Sequence, residues 1–185
     1  IQVGEYRTFR VHIGYKEGVA ISDNILNSVV NFQFMHWDDI FIEDIIPEPL
    51  ENPNDSSMVI RIKIGEDSLI FLNDTCYASG PIIHDLWGAY LKTDIVQIAH
   101  HGMWPSVESI YHDIAGEVVL VPNLCRYFKN HIIDSRWVDA IDVALSYAKD
   151  LFVSGDKLMV HKLPYEFENN KEKMYDYIIN YSGRD

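Results

Sequence analysis

Two apolar runs in this chain end on side chains that bind metals or carry protons: Leu69-Ile-Phe-Leu-Asn-Asp74 and Asp94-Ile-Val-Gln-Ile-Ala-His-His-Gly102. Short runs rich in Ile, Val and Phe read as buried strands, and residues at the carboxyl ends of such strands line the crevice where α/β sheets bind ligands. Between the two runs, Tyr77 to Leu91 has the length of one helix. The order is therefore strand, carboxylate, helix, strand, paired histidines. Imidazole is the commonest neutral ligand of zinc or iron, and a carboxylate at a neighbouring strand end can bridge two such ions. Side chains alternate along a strand, so His100 and His101 cannot both enter one apolar core, and at least one faces the strand end or solvent. Gly102 lets the chain turn sharply just beyond them. The competing reading of Asp74 is the N-cap of the following helix. Cys76, two residues further on, stands within reach of a ligand role.

The remaining histidines divide by position. His131 falls in Asn123-Leu-Cys-Arg-Tyr-Phe-Lys-Asn-His131, which reads as a polar loop with a surface histidine. His84 and His112 fall in helical segments and read as surface or packing residues. Trp87, Trp104 and Trp137 read as core or rim aromatics, and Trp104, close after the histidine pair, is placed to wall a pocket. The sequence contains no Ser-His-Asp arrangement, phosphate-cradling glycine loop or paired CxxC.

The elements that must hold these residues follow from pattern. Met58 to Ile64 alternates apolar residues with Arg61 and Lys63, a half-exposed strand, and Gly65-Glu-Asp67 turns it into the apolar Leu69 to Leu72. Ser106 to Ala115 has helical spacing with Ser106 as N-cap, and Val118 to Val121 reads as another buried strand. Asp134 to Lys149 carries the clearest helical stripe, from Trp137 and Val138 through Ile141, Ala144, Leu145 and Ala148. Leu151 to Val160 reads as a hairpin turning at Gly155-Asp156, and Asn169 to Tyr181 as a last helix. The first 45 residues offer short strand-like pieces (Phe9 to Ile13, Val19 to Ile21, Val29 to Phe34), and the Pro47 to Asp55 stretch reads as a loop. Strands alternating with helices after a β-rich start indicate an α/β fold.

Composition narrows the function classes. The 185 residues suit one domain with a real core, and the formal charge of −13 disfavours nucleic acid as a partner of this chain. Two cysteines make no disulfide framework, and the apolar runs are too short to span a membrane. With no signal-peptide pattern, the cytoplasm is the expected location.

From about Asn54 to Pro164 the chain resembles the carboxyl-terminal half of the metallo-β-lactamase-fold hydrolases, most of all the soluble domain of ComEC-type DNA-uptake proteins and related stand-alone bacterial hydrolases. Asn54-Asp-Ser-Ser-Met-Val-Ile-Arg61 is similar to that family's N-x-S-L-V-L-R strand, and Phe71-Leu-Asn-Asp74 to its F-x-G-D strand end. Asp94 to Gly102 is similar to its D-V-L-x-V-x-H-H-G, with Ser106 to Val121 as the helix and strand that follow. Asn130-His131 stands where the family often has Gly-His-Pro, and Lys149 to Val160 resembles its closing hairpin. Asn73 replaces a glycine and Met103 a frequent serine. The family's H-x-H-x-D-H cluster, which should precede Asn54, has no counterpart in residues 1–53.

The resemblance implies half of an αββα sandwich, a mixed sheet with flanking helices. Residues 1–53 would form a β-rich segment, 54–164 the lactamase-like half and 165–185 a terminal helix, all in one domain that is expected to be a fragment, since the chain opens at Ile1. It further implies a metal-dependent hydrolase with two zinc ions in the intact parent protein, acting on a small-molecule or phosphoester substrate. Asp74 and His100 would be metal ligands, with His101, His131 and Trp104 lining the site. His100 is preferred by carry-over, as the first residue past the strand. Lacking the amino-terminal half, this chain would hold metal partially or not at all and be inactive alone. The alternative is a non-catalytic binding or oligomerisation module derived from the same fold. A homodimer is expected under either reading, because half a sandwich leaves one sheet face uncovered.

Overall fold

The computed structural model describes residues 40–44, 52–103, 107–133, 138–155 and 159–182. Six strands form one mixed sheet in chain order: β1 (Ile40–Asp44), β2 (Ile60–Ile64), β3 (Asp67–Phe71), β4 (Ile95–Gln97), β5 (Val118–Val121) and β6 (Asp150–Val153). The first two pairings, β1 with β2 and β2 with β3, are antiparallel. From β3 onward the strands are parallel, in register Leu69 to Ile95, Ile95 to Val118 and Val118 to Asp150. Parallel neighbours need long crossovers, and the helices supply them. Helix α1 (Ser79–Trp87) and a 3-10 turn (Gly88–Leu91) join β3 to β4, and α2 (Glu108–Ile114) joins β4 to β5. Helices α3 (Cys125–Ile133) and α4 (Val138–Tyr147) join β5 to β6, and α5 (Lys171–Ile179) follows. The α/β class read from the sequence is what the chain forms.

The two faces of the sheet are covered differently. Ile70, Val96, Val119 and Leu151 point to one face, where they form the main core with residues of all five helices, among them Ile83, Ile110, Phe128, Ile141 and Ile178. The opposite face carries Leu69, Ile95, Val118, Leu120 and Phe152, packed with Met159, Leu163 and Tyr165, none of which is helical. An extended segment crosses this second face, and the fully buried Asp150 fastens it. Its carboxylate accepts the Tyr165 hydroxyl at 2.9 Å, the Glu168 amide at 2.9 Å and the Asn170 amide at 2.7 Å, while the Asn170 side-chain oxygen accepts the amide of Leu151. Burial, and the bond to Asp150, push the Tyr165 phenol well above its ordinary range. These bonds also occupy part of the outer edge of β6, the strand at the end of the sheet.

Several sequence expectations need correction. The loop expected at Asn123 to His131 is helix α3, because Phe128 and Ile132, one turn apart, are both buried against the main core. The expected hairpin after Leu151 has no second strand among the described residues: Met159 and Val160 are irregular, and residues 156–158 lie outside the description. Tyr77 to Leu91 is a shorter α-helix and a 3-10 turn, broken at Gly88, whose φ is +43°. The Ser106 cap, Trp104, Trp137 and the strand-like pieces before Ile40 lie outside the described residues. His84 and His112 do lie in helices. His84 Nδ1 meets the Asp113 carboxylate at 2.5 Å, joining α1 to α2.

Asp150→Ala strands three donors and is expected to cost about 3 kcal/mol in urea unfolding. The hydrogen bond that His84 donates to Asp113 raises the His84 pKa, against a smaller opposing push from desolvation. A raised folded-state pKa means that the stabilisation is fully present below about pH 6.5 and lost as the pH rises through the folded-state value. The stability gap between the wild type and His84→Gln should thus be wider at about pH 5.5 than at about pH 9.

Candidate metal centre

The parallel pairing of β3 and β4 brings the two chemically loaded strand ends level. Past β3 the chain turns at Asn73, whose φ is +49°, a left-handed conformation that Asn enters more readily than most residues. The carbonyl of Asn73 accepts the amide of His100 at 2.7 Å. The Asn73 amide donates to Gln97 at 2.8 Å, and its side chain donates to the carbonyl of Met58 at 2.5 Å. Past β4, His100 and His101 are both left-handed, with φ of +46° and +59°. The two consecutive left-handed residues send the imidazoles in different directions.

His101 is the imidazole beside Asp74. Its Nε2 lies 3.4 Å from Asp74 Oδ1, with both side chains nearly half exposed. Its Nδ1 is 2.8 Å from the carbonyl oxygen of Pro122, at the end of β5. A carbonyl only accepts, so Nδ1 carries the proton and Nε2 is the nitrogen turned to the carboxylate. Asn123 fixes the same residue from behind, donating its side-chain amide to the His101 carbonyl at 2.8 Å. An imidazole held through one nitrogen by a backbone carbonyl, with the other aimed at a carboxylate, has the orientation of a metal-binding histidine. Two donors about 2.0–2.1 Å from a tetrahedral zinc ion stand roughly 3.3 Å apart, close to the observed separation. A proton on Nε2 satisfies the same geometry as an ion pair.

His100 is buried and turned the other way, with its Nδ1 3.0 Å from the sulfur of Cys76. Cys76 also donates its thiol to the carbonyl of Asp74 at 3.2 Å. Burial pushes the Cys76 thiol up to about 11, and the Asp55 and Asp74 carboxylates add to the effect. The sulfur therefore stays a thiol at neutral pH and is a poor nucleophile.

The loop carrying Asp74 and Cys76 is held by Asp55. This buried carboxylate accepts the amides of Cys76, Ala78 and Ser79 and the Ser79 hydroxyl, at 2.9 to 3.2 Å. Helix α1 is thus capped from a distant loop, and the N-cap position, Ala78, has no capping side chain of its own. Asp74 is not the helix cap, because the N-cap is Ala78, with three residues between them. Asp55 carries no local signal beyond its turn-forming neighbours, since its partners lie more than 20 residues away. His131 lies in the last turn of α3, half-buried, on a helix that packs against the histidine turn. The packing is close at Gly102, whose φ is +76°, and a Cβ there would fall 2.8 Å from the ring of Phe128.

The structure brings Asp74, His101, His100 and Cys76 to one end of the sheet. Among the described residues, no group of three or more His, Cys, Asp or Glu side chains is arranged to hold a metal ion. No helix of the described residues is long and apolar enough to cross a membrane. Compared with family models, curated proteins and solved structures, the chain matches none.

Gly102→Ala meets both the positive φ and the Phe128 ring and is expected to cost about 2 kcal/mol. Asp55→Ala, which removes a cap shared by four donors, is expected to cost about the same. Thermal melts of the two variants beside the wild type check both values.

Proposed function

We propose that this chain is the carboxyl-terminal half of a metallo-β-lactamase-fold hydrolase and supplies one side of a dinuclear zinc centre. The single observation that carries the reading is the Asp74 and His101 pair, with His101 Nδ1 committed to Pro122 and Nε2 facing the carboxylate at 3.4 Å. In this reading Asp74 is the bridging ligand and His101 joins it, and His100 supplies a second imidazole just behind. This extends the sequence expectation, which favoured His100, because the exposed imidazole beside the carboxylate is His101. Bound zinc would lower the pKa of a water molecule and polarise an ester, phosphoester or amide bond. This chain's residues hold the donors in place: Pro122 and Asn123 orient His101, Asn73 and Gln97 fix the strand ends, and Asp55 fixes the loop of Asp74.

The one-sided sheet also supports the reading. With the described helices on one face and, on the other, an apolar row in which Leu69 and Leu120 are only partly covered by the strap of Met159, Leu163 and Tyr165, the sheet has an apolar second face of the kind that packs against the second layer of an αββα sandwich. That layer, with the H-x-H-x-D-H ligands, would come from an amino-terminal half. Zinc sites need at least three protein ligands, so the chain alone is expected to bind zinc weakly and to be inactive.

A second reading is a binding or oligomerisation module that associates through the part of this face where Leu69 and Leu120 stay partly exposed. Light scattering of the purified chain tests association, with a homodimer expected and a strict monomer counting against this reading. Zinc titration against a fluorescent chelator tests the first: Asp74→Ala and His101→Ala should each weaken binding at least about tenfold. Equal binding by the wild type and both variants would remove the metal centre. Turnover of a phosphodiester by this chain alone, abolished by Asp74→Ala, would instead remove the half-site.

A further inference from the structure

We infer that Tyr111 is a positioning residue for the histidine turn: its hydroxyl takes the amide of Ala99 out of the strand ladder, so that the chain leaves β4 at His100 and sets His101 beside Asp74. The amide of Ala99 donates to the Tyr111 hydroxyl oxygen at 3.1 Å. One residue earlier, the amide of Ile98 donates to the Leu120 carbonyl of β5 at 2.9 Å. Amides alternate sides along a strand, so in a continued ladder the amide of Ala99 would turn to β3. On that side the Leu72 carbonyl accepts the amide of Thr75, and the ladder passes to the amide of His100, which donates to Asn73. The phenol on α2 gives the diverted Ala99 amide its acceptor. Ala99 is fully buried, so without that hydroxyl its N–H would stay unpaired or draw the chain back toward β3.

Ile110, Tyr111 and Ile114 form the buried stripe of α2, and Tyr111 is 1 % exposed. A phenylalanine ring would fill the same space with no polar atom to satisfy, so the hydroxyl is accounted for by the bond it makes. Burial raises the pKa of the phenol, which keeps it neutral at physiological pH. The turn it serves is strained, because His100 and His101 are both left-handed, and such a turn persists only where its surroundings hold it. Asn123 holds the far end through the His101 carbonyl at 2.8 Å, and Tyr111 holds the near end. Local sequence hides the role, since Tyr111 reads as one more core residue of a helical stripe. The effect on zinc rests on the metal centre proposed above, whereas the effect on the turn does not.

Tyr111→Phe removes the hydroxyl and keeps the ring. In amide hydrogen exchange it should speed the Ala99 amide at least about tenfold relative to Val96 in β4 and Val119 in β5. Long-range proton–nitrogen NMR of the 15N-labelled chain, at a pH where the imidazoles are neutral, reads the turn itself. The wild type should show His101 protonated at Nδ1, toward Pro122, and Tyr111→Phe should show both tautomers. Ile178→Val trims the same core from α5 and is the control for lost stability alone, expected to leave Ala99 and His101 as in the wild type. In the zinc titration Tyr111→Phe should weaken binding about tenfold, with Ile178→Val close to wild type. An Ala99 amide or a His101 tautomer unmoved by Tyr111→Phe, or moved equally by Ile178→Val, would overturn the inference, as would zinc held equally by Tyr111→Phe and the wild type. A turn that responds to Tyr111→Phe in chains that bind no zinc at all would uphold the role of Tyr111 and remove the metal reading alone.

Discussion

The arrangement at the end of the sheet depends on one backbone hydrogen bond, from the amide of His100 to the carbonyl of Asn73 at 2.7 Å. It continues the parallel pairing of β3 and β4 by one step beyond the strands and levels the two chain exits. Because Asn73, His100 and His101 are all left-handed, each chain leaves the sheet abruptly instead of running on. The carboxylate of Asp74, the thiol of Cys76 and the two imidazoles meet only because these exits are level. A register slip of one residue would exchange the faces of every side chain involved.

A chain with a net charge of −13 holds its loops in place with carboxylates. Asp55 gathers three amides and a hydroxyl at the start of α1, and Asp150 gathers two amides and a phenol on the second face of the sheet. An ionised carboxylate that accepts several N–H and O–H bonds is repaid for its burial by charge-assisted hydrogen bonding. Each also joins parts of the chain far apart in sequence, so these two residues act as fasteners between segments. By contrast Asp74 is nearly half exposed and faces the His101 imidazole rather than a set of backbone donors.

The uneven covering of the sheet is the second global feature. Five helices on one face complete a core, and the other face is crossed by an irregular strap fastened to Asp150. The apolar row beneath that strap, buried at Ile95, Val118 and Phe152, ties the strap to the sheet by hydrophobic packing as well as by the Asp150 bonds.

The sequence by itself determined the alternation of strands and helices and the placement of Asp74 and the histidine pair at strand ends. Those features are written in local periodicity and in where apolar runs stop. It misread α3, whose buried positions Phe128 and Ile132 are interrupted by polar residues, so that only packing against the main core reveals the helix. It also expected a hairpin after β6, of whose return strand only Met159 and Val160 are described, and these are irregular. Which histidine stands beside Asp74 was decided by tertiary structure alone, through the carbonyl of Pro122 that fixes His101 and the sulfur of Cys76 that faces His100. The physical reason is range: strand ends are set by neighbours in sequence, but an imidazole's orientation is set by partners that only the register of parallel strands brings near.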